Sequence, residues 1–249
     1  WATFASFRGQ GGITLRTNSP VTEPAKLLGE GYAAVAITTG IHVPITLGVE
    51  NESAALSGND FLGGAKQPLS GHVIVIGGGA IAVDCATSAV ERGAERVEMV
   101  ALEKLSEMPL TPNERKHIEA YGIEVTGRTR LRAIKLANGA IAGVELMRVA
   151  LPAGKKFNPR DVADVAGSEH VVPGVKHVII AIGNRPSIAK FEHAGVFFAG
   201  DGWAGPCTAV EASASGKNVA KQIDAYLQAK DIPSFAPVKP LKSHEEVPG

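Results

Sequence analysis

The sequence predicts an α/β fold built on a parallel sheet covered on both faces. Two observations carry that reading. Four short runs, residues 33–38, 72–76, 97–102 and 177–182, are rich in Val, Ile or Ala and lack the polar alternation of a half-exposed strand. Between the second and third, Gly77-Gly78-Gly79 leads into a helix-length stretch over 80–92 that stops at Gly93. Strand, helix and strand thus follow one another within about 30 residues, which is a βαβ unit.

The remaining elements follow in order. Residues 111–120 carry Pro112, Glu114 and a basic pair, the composition of a helix with proline in its first turn. Residues 123–125, 131–136 and 141–149 predict an antiparallel meander, with Asn138-Gly139 as a hairpin turn. The stretch 155–169 is polar and punctuated by Gly and Pro, and predicts a loop. Residues 209–228 predict a helix, with apolar positions at Val210, Val219, Ile223 and Leu227. The tail from Asp231 has four prolines and mixed charge, and predicts an extended segment wrapped on a partner.

Composition limits the functions available. At about 150 residues per domain, 249 residues is nearer two domains than one. Lys+Arg and Asp+Glu are both 25, so the formal net charge is zero. That removes the basic excess of a nucleic-acid binder or a membrane-surface helix. No apolar run approaches the ~18 residues of a membrane span. Two cysteines, Cys85 and Cys207, cannot build a four-cysteine metal site or a disulfide framework. They fit a reducing, cytoplasmic compartment, and Cys85 reads as a small buried hydrophobe. Glycine is the surplus: 29 of 249 residues, about 12% against a usual ~7%, which suggests backbone brought close to a ligand.

The most informative segment is Val73-Ile74-Val75-Ile76-Gly77-Gly78-Gly79-Ala80-Ile81-Ala82. Gly77-x-Gly79-x-x-Ala82 after a strand and at the mouth of a helix is a dinucleotide-binding fingerprint. Gly77 permits the tight turn, Gly79 lets backbone approach a pyrophosphate, and Ala82 lets helix and strand pack closely. The phosphates then meet the positive helix N-terminus at Ala80 and Ile81. Selectivity is read at the end of the next strand, where an acid holds the ribose 2′-hydroxyl and arginine accommodates a 2′-phosphate. That end reads Val100-Ala101-Leu102-Glu103-Lys104, with Glu103 available and no arginine nearby. NADH is favoured over NADPH.

Further motifs resemble one family. Tyr32-Ala33-Ala34-Val35-Ala36-Ile37-Thr38-Thr39-Gly40 resembles the strand ending in Ala-Thr-Gly of two-dinucleotide-domain flavoproteins. Residues 177–186, through Gly183-Asn184-Arg185-Pro186, resemble the return strand of their NAD(P)H domain. Gly195-Val196-Phe197-Phe198-Ala199-Gly200-Asp201, followed by Val210-Glu211-Ala212, resembles their second flavin motif. Glu107-Met108-Pro109 narrows the resemblance to the glutamate synthase small-subunit and dihydropyrimidine dehydrogenase family of pyridine nucleotide-disulfide oxidoreductase-like flavoproteins. The resemblance covers most of residues 20–229.

It implies a Rossmann-like NAD domain inserted in a discontinuous, incomplete FAD domain. The expected divisions are 1–66 and 184–229 for the FAD domain, 67–183 for the NAD domain and 230–249 for the tail. It places Thr39, Gly40, Gly183, Gly200 and Asp201 at the cofactors, with Asp201 on the flavin ribityl chain. The amides of Thr208, Ala209 and Val210 are expected near the flavin ring or its phosphates, where a helix N-terminus stabilises reduced flavin. The sequence departs from the family in four ways. No first FAD fingerprint lies between residues 1 and 31, since Gly9-Gln10-Gly11-Gly12 follows no convincing strand. Leu102 and Glu103 replace an arginine pair. Only residues 187–194 separate the Arg-Pro turn from Gly195. The cysteine-rich iron–sulfur region is absent. A longer chain is therefore expected, as the chain also begins at Trp1.

The expected function is an FAD-dependent NAD(P)H:acceptor oxidoreductase subunit. It would work with an iron–sulfur electron-transfer subunit and a catalytic subunit of a larger complex. Hydride transfer needs no protein acid or base, so no catalytic residue is assigned, and no triad or metal-ligand cluster is evident. Rival readings are a non-catalytic docking subunit with a relic flavin fold, a stand-alone flavoprotein reductase, and a plain NAD-binding domain. A disulfide reductase is disfavoured by the lack of a dithiol.

Overall fold

The computed structural model describes residues 12–64 and 67–235. In chain order these form α1 (Lys26–Gly29), β1 (Val35–Ile37), β2 (Val43–Pro44), β3 (Leu56–Ser57), α2 (Gly58–Gly63), β4 (His72–Ile76), α3 (Ala80–Glu91) and β5 (Arg96–Val100). There follow α4 (Pro112–Ala120), β6 (Glu124–Thr126), β7 (Thr129–Ala137), β8 (Ala140–Ala150), β9 (Ala163–Asp164), β10 (His170–Pro173) and β11 (Val175–Ile180). The series ends with β12 (Asn184–Arg185), β13 (Val196–Phe198), α5 (Asp201–Ala204) and α6 (Ala209–Leu227). The described residues divide into two compact units, 42–185 and 12–41 with 186–235.

In the 42–185 unit a five-stranded parallel sheet runs β3-β11-β4-β5-β6. All five residues of β4 are buried, and period-2 alternation explains why. Val73 and Val75 face one core with Ala82, Val83, Cys85 and Met99, while Ile74 and Ile76 face another with Leu131, Ile134, Val144 and Leu146. A strand covered on both faces must be apolar throughout. Ile74 is fully buried, a gain of roughly 1.5–3 kcal/mol over an exposed side chain. α4 starts as expected, with Thr111 accepting from Glu114 N and Glu114 accepting from Thr111 N.

One expectation fails here. Residues 123–125 do not open an antiparallel meander; β6 pairs parallel with β5, Val100 opposite Thr126. The chain crosses over through α4 and Ile123 joins the core beside α3, so this is a second βαβ turn. The antiparallel sheet is β10-β8-β7 instead, with the expected hairpin at Asn138-Gly139, both at positive φ. Within the expected loop, Ala163–Asp164 pairs with β8.

The division into compact units comes after Ile41 and after Arg185. Leu56–Ser57 pairs with β11 and Phe61 enters the β4–α3 core, so residues 42–64 pack with the parallel sheet. β2 and β12 pair antiparallel, which keeps Asn184–Arg185 in the same unit. In the other unit β1 and β13 form a two-stranded parallel sheet, Val35 opposite Val196 and Ile37 opposite Phe198. These four side chains form its buried cluster. Of the expected tail, residues 231–235 carry no helix or strand, and the rest lies outside the described residues, as do Gly9, Gln10 and Gly11.

Candidate functional site

The glycine turn lies at the carboxyl end of the parallel sheet, where α/β folds bind ligands. Gly77 N donates to Val100 O and Ala181 N donates to Ile76 O, so the ends of β5, β4 and β11 meet there. Gly77 has φ +138, and a Cβ on it would stand 2.3 Å from Ala181 O. Only glycine fits. Gly79 has nothing within 4 Å of its would-be Cβ and caps α3. Ala82 and Val83 donate to Gly79 O, while the amides of Ala80 and Ile81 have no carbonyl one turn earlier to reach. Ala82 is fully buried against the sheet. Open space over Gly79, free first-turn amides and the positive end of a 12-residue helix match a pyrophosphate.

Glu103 lies across this turn: its Oε2 would be 3.1 Å from a side chain at Gly78. Gly183, at φ +105, follows β11 at the same sheet edge, and its carbonyl accepts from Ile45 N. The structure therefore brings Gly77, Gly79, Ala80, Ile81, Ala82, Glu103 and Gly183 to one edge.

Two arginines also stand at the exit of β5, contrary to the reading that none is nearby. Arg128 Nη1 donates to Leu102 O at 2.8 Å and Nη2 to Glu107 Oε1 at 2.7 Å. Arg115 donates to the carbonyls of Leu105 and Met108. Glu107 Oε2 accepts from Lys104 N at 2.9 Å. That backbone bond first, and Arg128 second, hold the Glu107 carboxyl below its usual range. The missed signal was topological. Because β6 pairs parallel with β5, a cation two residues beyond β6 lands beside the end of β5, 26 positions from Leu102 in sequence. Assigning 123–125 to a meander hid it.

In the other unit, β1 and β13 end side by side, and Ala199 N donates to Ile37 O. Gly40 (φ +67) and Gly200 (φ +68) follow, and a Cβ on Gly202 would lie 3.4 Å from Gly40 O. Thr39, Gly40 and Gly200 are thus on adjacent loops, and Asp201 opens α5 directly after them. Gly200 N donates to Ser215 Oγ at 3.0 Å, and Cys207 Sγ donates to Asp201 Oδ1 at 2.9 Å. Thr208 caps α6, but its own amide donates to Glu211 Oε2 at 2.7 Å. The amides of Ala209 and Val210 remain for a ligand. A cavity of about 610 Å³ lies beside these loops, between β13 and α6, with Phe191, Trp203, Asn218 and Tyr226 in its wall. It is distinct from the glycine turn.

The family model described as pyridine nucleotide-disulphide oxidoreductase matches residues 16–206. The chain belongs to that family. Among relatives of the chain, the NADP(+)-dependent formate dehydrogenase subunit beta of Moorella thermoacetica is 31% identical over 250 residues, 87% of this chain and 35% of that protein. The glutamate synthase (NADPH) small chain of Escherichia coli K12 is 30% identical over 195 residues, 70% of this chain and 41% of that protein. The chain thus spans about two fifths or less of these relatives. Mycobacterium tuberculosis FprA in complex with NADPH superposes with a TM-score of 0.61 at 16% identity, over 83% of this chain and 66% of that one. Thioredoxin reductase of T. acidophilum gives 0.56 at 21% identity, over 79% and 66%. The fold is that of FAD- and NAD(P)-binding reductases.

Neither cysteine of this family member is poised for thiol chemistry. Burial pushes the Cys85 thiol up to about 12, and the Asp201 hydrogen bond with burial pushes Cys207 up to about 11. Both are free thiols, Cys85 fully buried. Among the described residues no helix is long and apolar enough to cross a membrane.

Proposed function

We propose that this chain is the nucleotide- and flavin-binding part of an NAD(P)H:acceptor oxidoreductase, with NADH as the favoured nucleotide. The observation that carries the reading is the Gly77–Gly79 turn with the Glu103 carboxylate lying across it. Ala80 and Ile81 donate their amides to the pyrophosphate, and Glu103 accepts from the adenosine ribose hydroxyls. A 2′-phosphate in the same place would meet the Glu103 charge. This selectivity differs from relatives whose names specify NADP or NADPH.

Bound FAD supplies two-electron exchange with nicotinamide and one-electron exchange with an iron–sulfur acceptor. Thr39, Gly40, Gly200 and Asp201 would hold its ribityl and phosphate end, with Asp201 accepting from a ribityl hydroxyl. Ala209 and Val210 would offer the amides at the start of α6 to negative charge. The protein's contribution is positioning, since hydride exchange needs no acid or base from it. Partners are an iron–sulfur subunit and a catalytic subunit of a larger complex, in the cytoplasm. The domain assignment is NAD on the 42–185 side and FAD on the 12–41 and 186–235 side.

Anaerobic NADH titration of the full-length protein in its complex tests this. One flavin per chain should bleach, with NADH ahead of NADPH. A purified protein without flavin absorbance would favour a docking role for the fold, and equal bleaching by NADPH would overturn the Glu103 selectivity.

A further inference from the structure

We propose that Arg128 is a second specificity-determining residue of the nucleotide site, a 2′-phosphate ligand kept silent by Glu107. This rests on the dinucleotide reading of the Gly77–Gly79 turn. The position of Arg128 is not incidental. A Cβ on its neighbour Gly127 would stand 2.6 Å from Glu103 O, so the β6–β7 turn is pressed onto the backbone just beyond β5. Arg128 itself takes φ +53, a left-handed conformation that carries strain for a side-chain-bearing residue. From there its guanidinium reaches back to the Leu102 carbonyl, next to Glu103 in the chain, and is mostly buried, with 15% of the side chain exposed. The Phe157 ring lies 5.5 Å away.

A guanidinium has five N–H donors in a fixed fork, which pairs bidentately with a carboxylate or a phosphate. Here Leu102 O takes one donor and Glu107 Oε1 another, and Glu107 also neutralises its charge. Glu107 is anchored for that role by accepting from Lys104 N and donating its own amide to Lys104 O. The exit of β5 therefore carries an acid for a ribose diol, a cation for a phosphate, and a second acid paired to the cation. Two carboxylates against one guanidinium hold the site to NADH.

The test is equilibrium binding of NADH and NADPH to the full-length protein by calorimetry. Glu107→Gln keeps an acceptor for Lys104 N and removes the charge facing Arg128. It should improve NADPH affinity relative to NADH by roughly tenfold, the scale of one charge-assisted phosphate contact. Glu103→Gln should shift the ratio the same way and supplies an independent route where Glu107→Gln fails to fold. In either background, adding Arg128→Gln should abolish the gain. A gain that survives the loss of Arg128, or no gain in a folded variant, overturns the proposal. Wild-type protein that binds neither nucleotide overturns the dinucleotide reading itself, and the proposal with it.

Discussion

In residues 42–185 five parallel strands lie between two buried cores, whereas in the other unit a single parallel pair, Val35–Ile37 with Val196–Phe198, carries a cluster of four buried side chains. Both end on glycine-bearing loops at the carboxyl edge of the strands. The loops are fixed by different means. Around Gly77 the backbone does it: Gly77 N to Val100 O, Ala181 N to Ile76 O, and Ala181 O filling the space of a Cβ. Around Gly200 side chains do it: Ser215 accepts from Gly200 N, Cys207 donates to Asp201, and Thr208 with Glu211 caps the next helix. A turn set by backbone fails on adding a methyl group, and one set by side chains fails on removing them.

The largest expected effect separates two glycines of one turn. Gly77→Ala should destabilise the protein by about 3 kcal/mol or more and abolish NADH binding, because both its φ and its contact with Ala181 O forbid a Cβ. Gly79→Ala meets open space at φ −96. It should leave urea unfolding within about 1 kcal/mol of wild type, yet weaken NADH, since its methyl occupies the pyrophosphate's approach. Equal losses of stability in the two would break the distinction. Of intermediate size, Thr208→Ala should cost about 1 kcal/mol through the lost N-cap, read by hydrogen exchange at the start of α6, with amides of β4 unchanged.

The smallest effect is a pH dependence at the opposite, amino edge of the parallel sheet. His72 begins β4, with Nε2 3.4 Å from Glu98 Oε2 and without a hydrogen bond of its own. Burial first, then Arg96, lower its pKa against the opposing pull of Glu98 and Glu124. With the folded value below the unfolded ~6.5, both states are neutral above that pH. As pH falls through it, the unfolded chain takes the proton first and stability declines. His72→Gln should flatten the decline between pH 6.5 and 5 in thermal unfolding, and an unchanged slope would contradict the assignment.

Much of the 42–185 unit was legible because two-sided burial writes a continuous apolar run, as in β4, and because Asn138-Gly139 and Thr111-Pro112 are local signals. The glycine fingerprint and Glu103 were legible for the same local reason. β1 was legible as part of the apolar run 33–38, whereas β13, three residues long, was found through a motif. Arg128 was not legible. Its place beside Leu102 depends on β6 joining β5 in parallel, a pairing between strands separated by the whole of α4. The misassigned strand and the missed arginine are one error, because the register of a non-local pair is not written in either segment alone.

The most direct measurement is a crystal structure of the full-length protein with NADH bound. The account predicts the pyrophosphate at the Gly77–Gly79 turn, within hydrogen-bond reach of the Ala80 and Ile81 amides, with the adenosine ribose diol on the Glu103 carboxylate. A nucleotide bound elsewhere, or one whose ribose leaves Glu103 uncontacted, would contradict it.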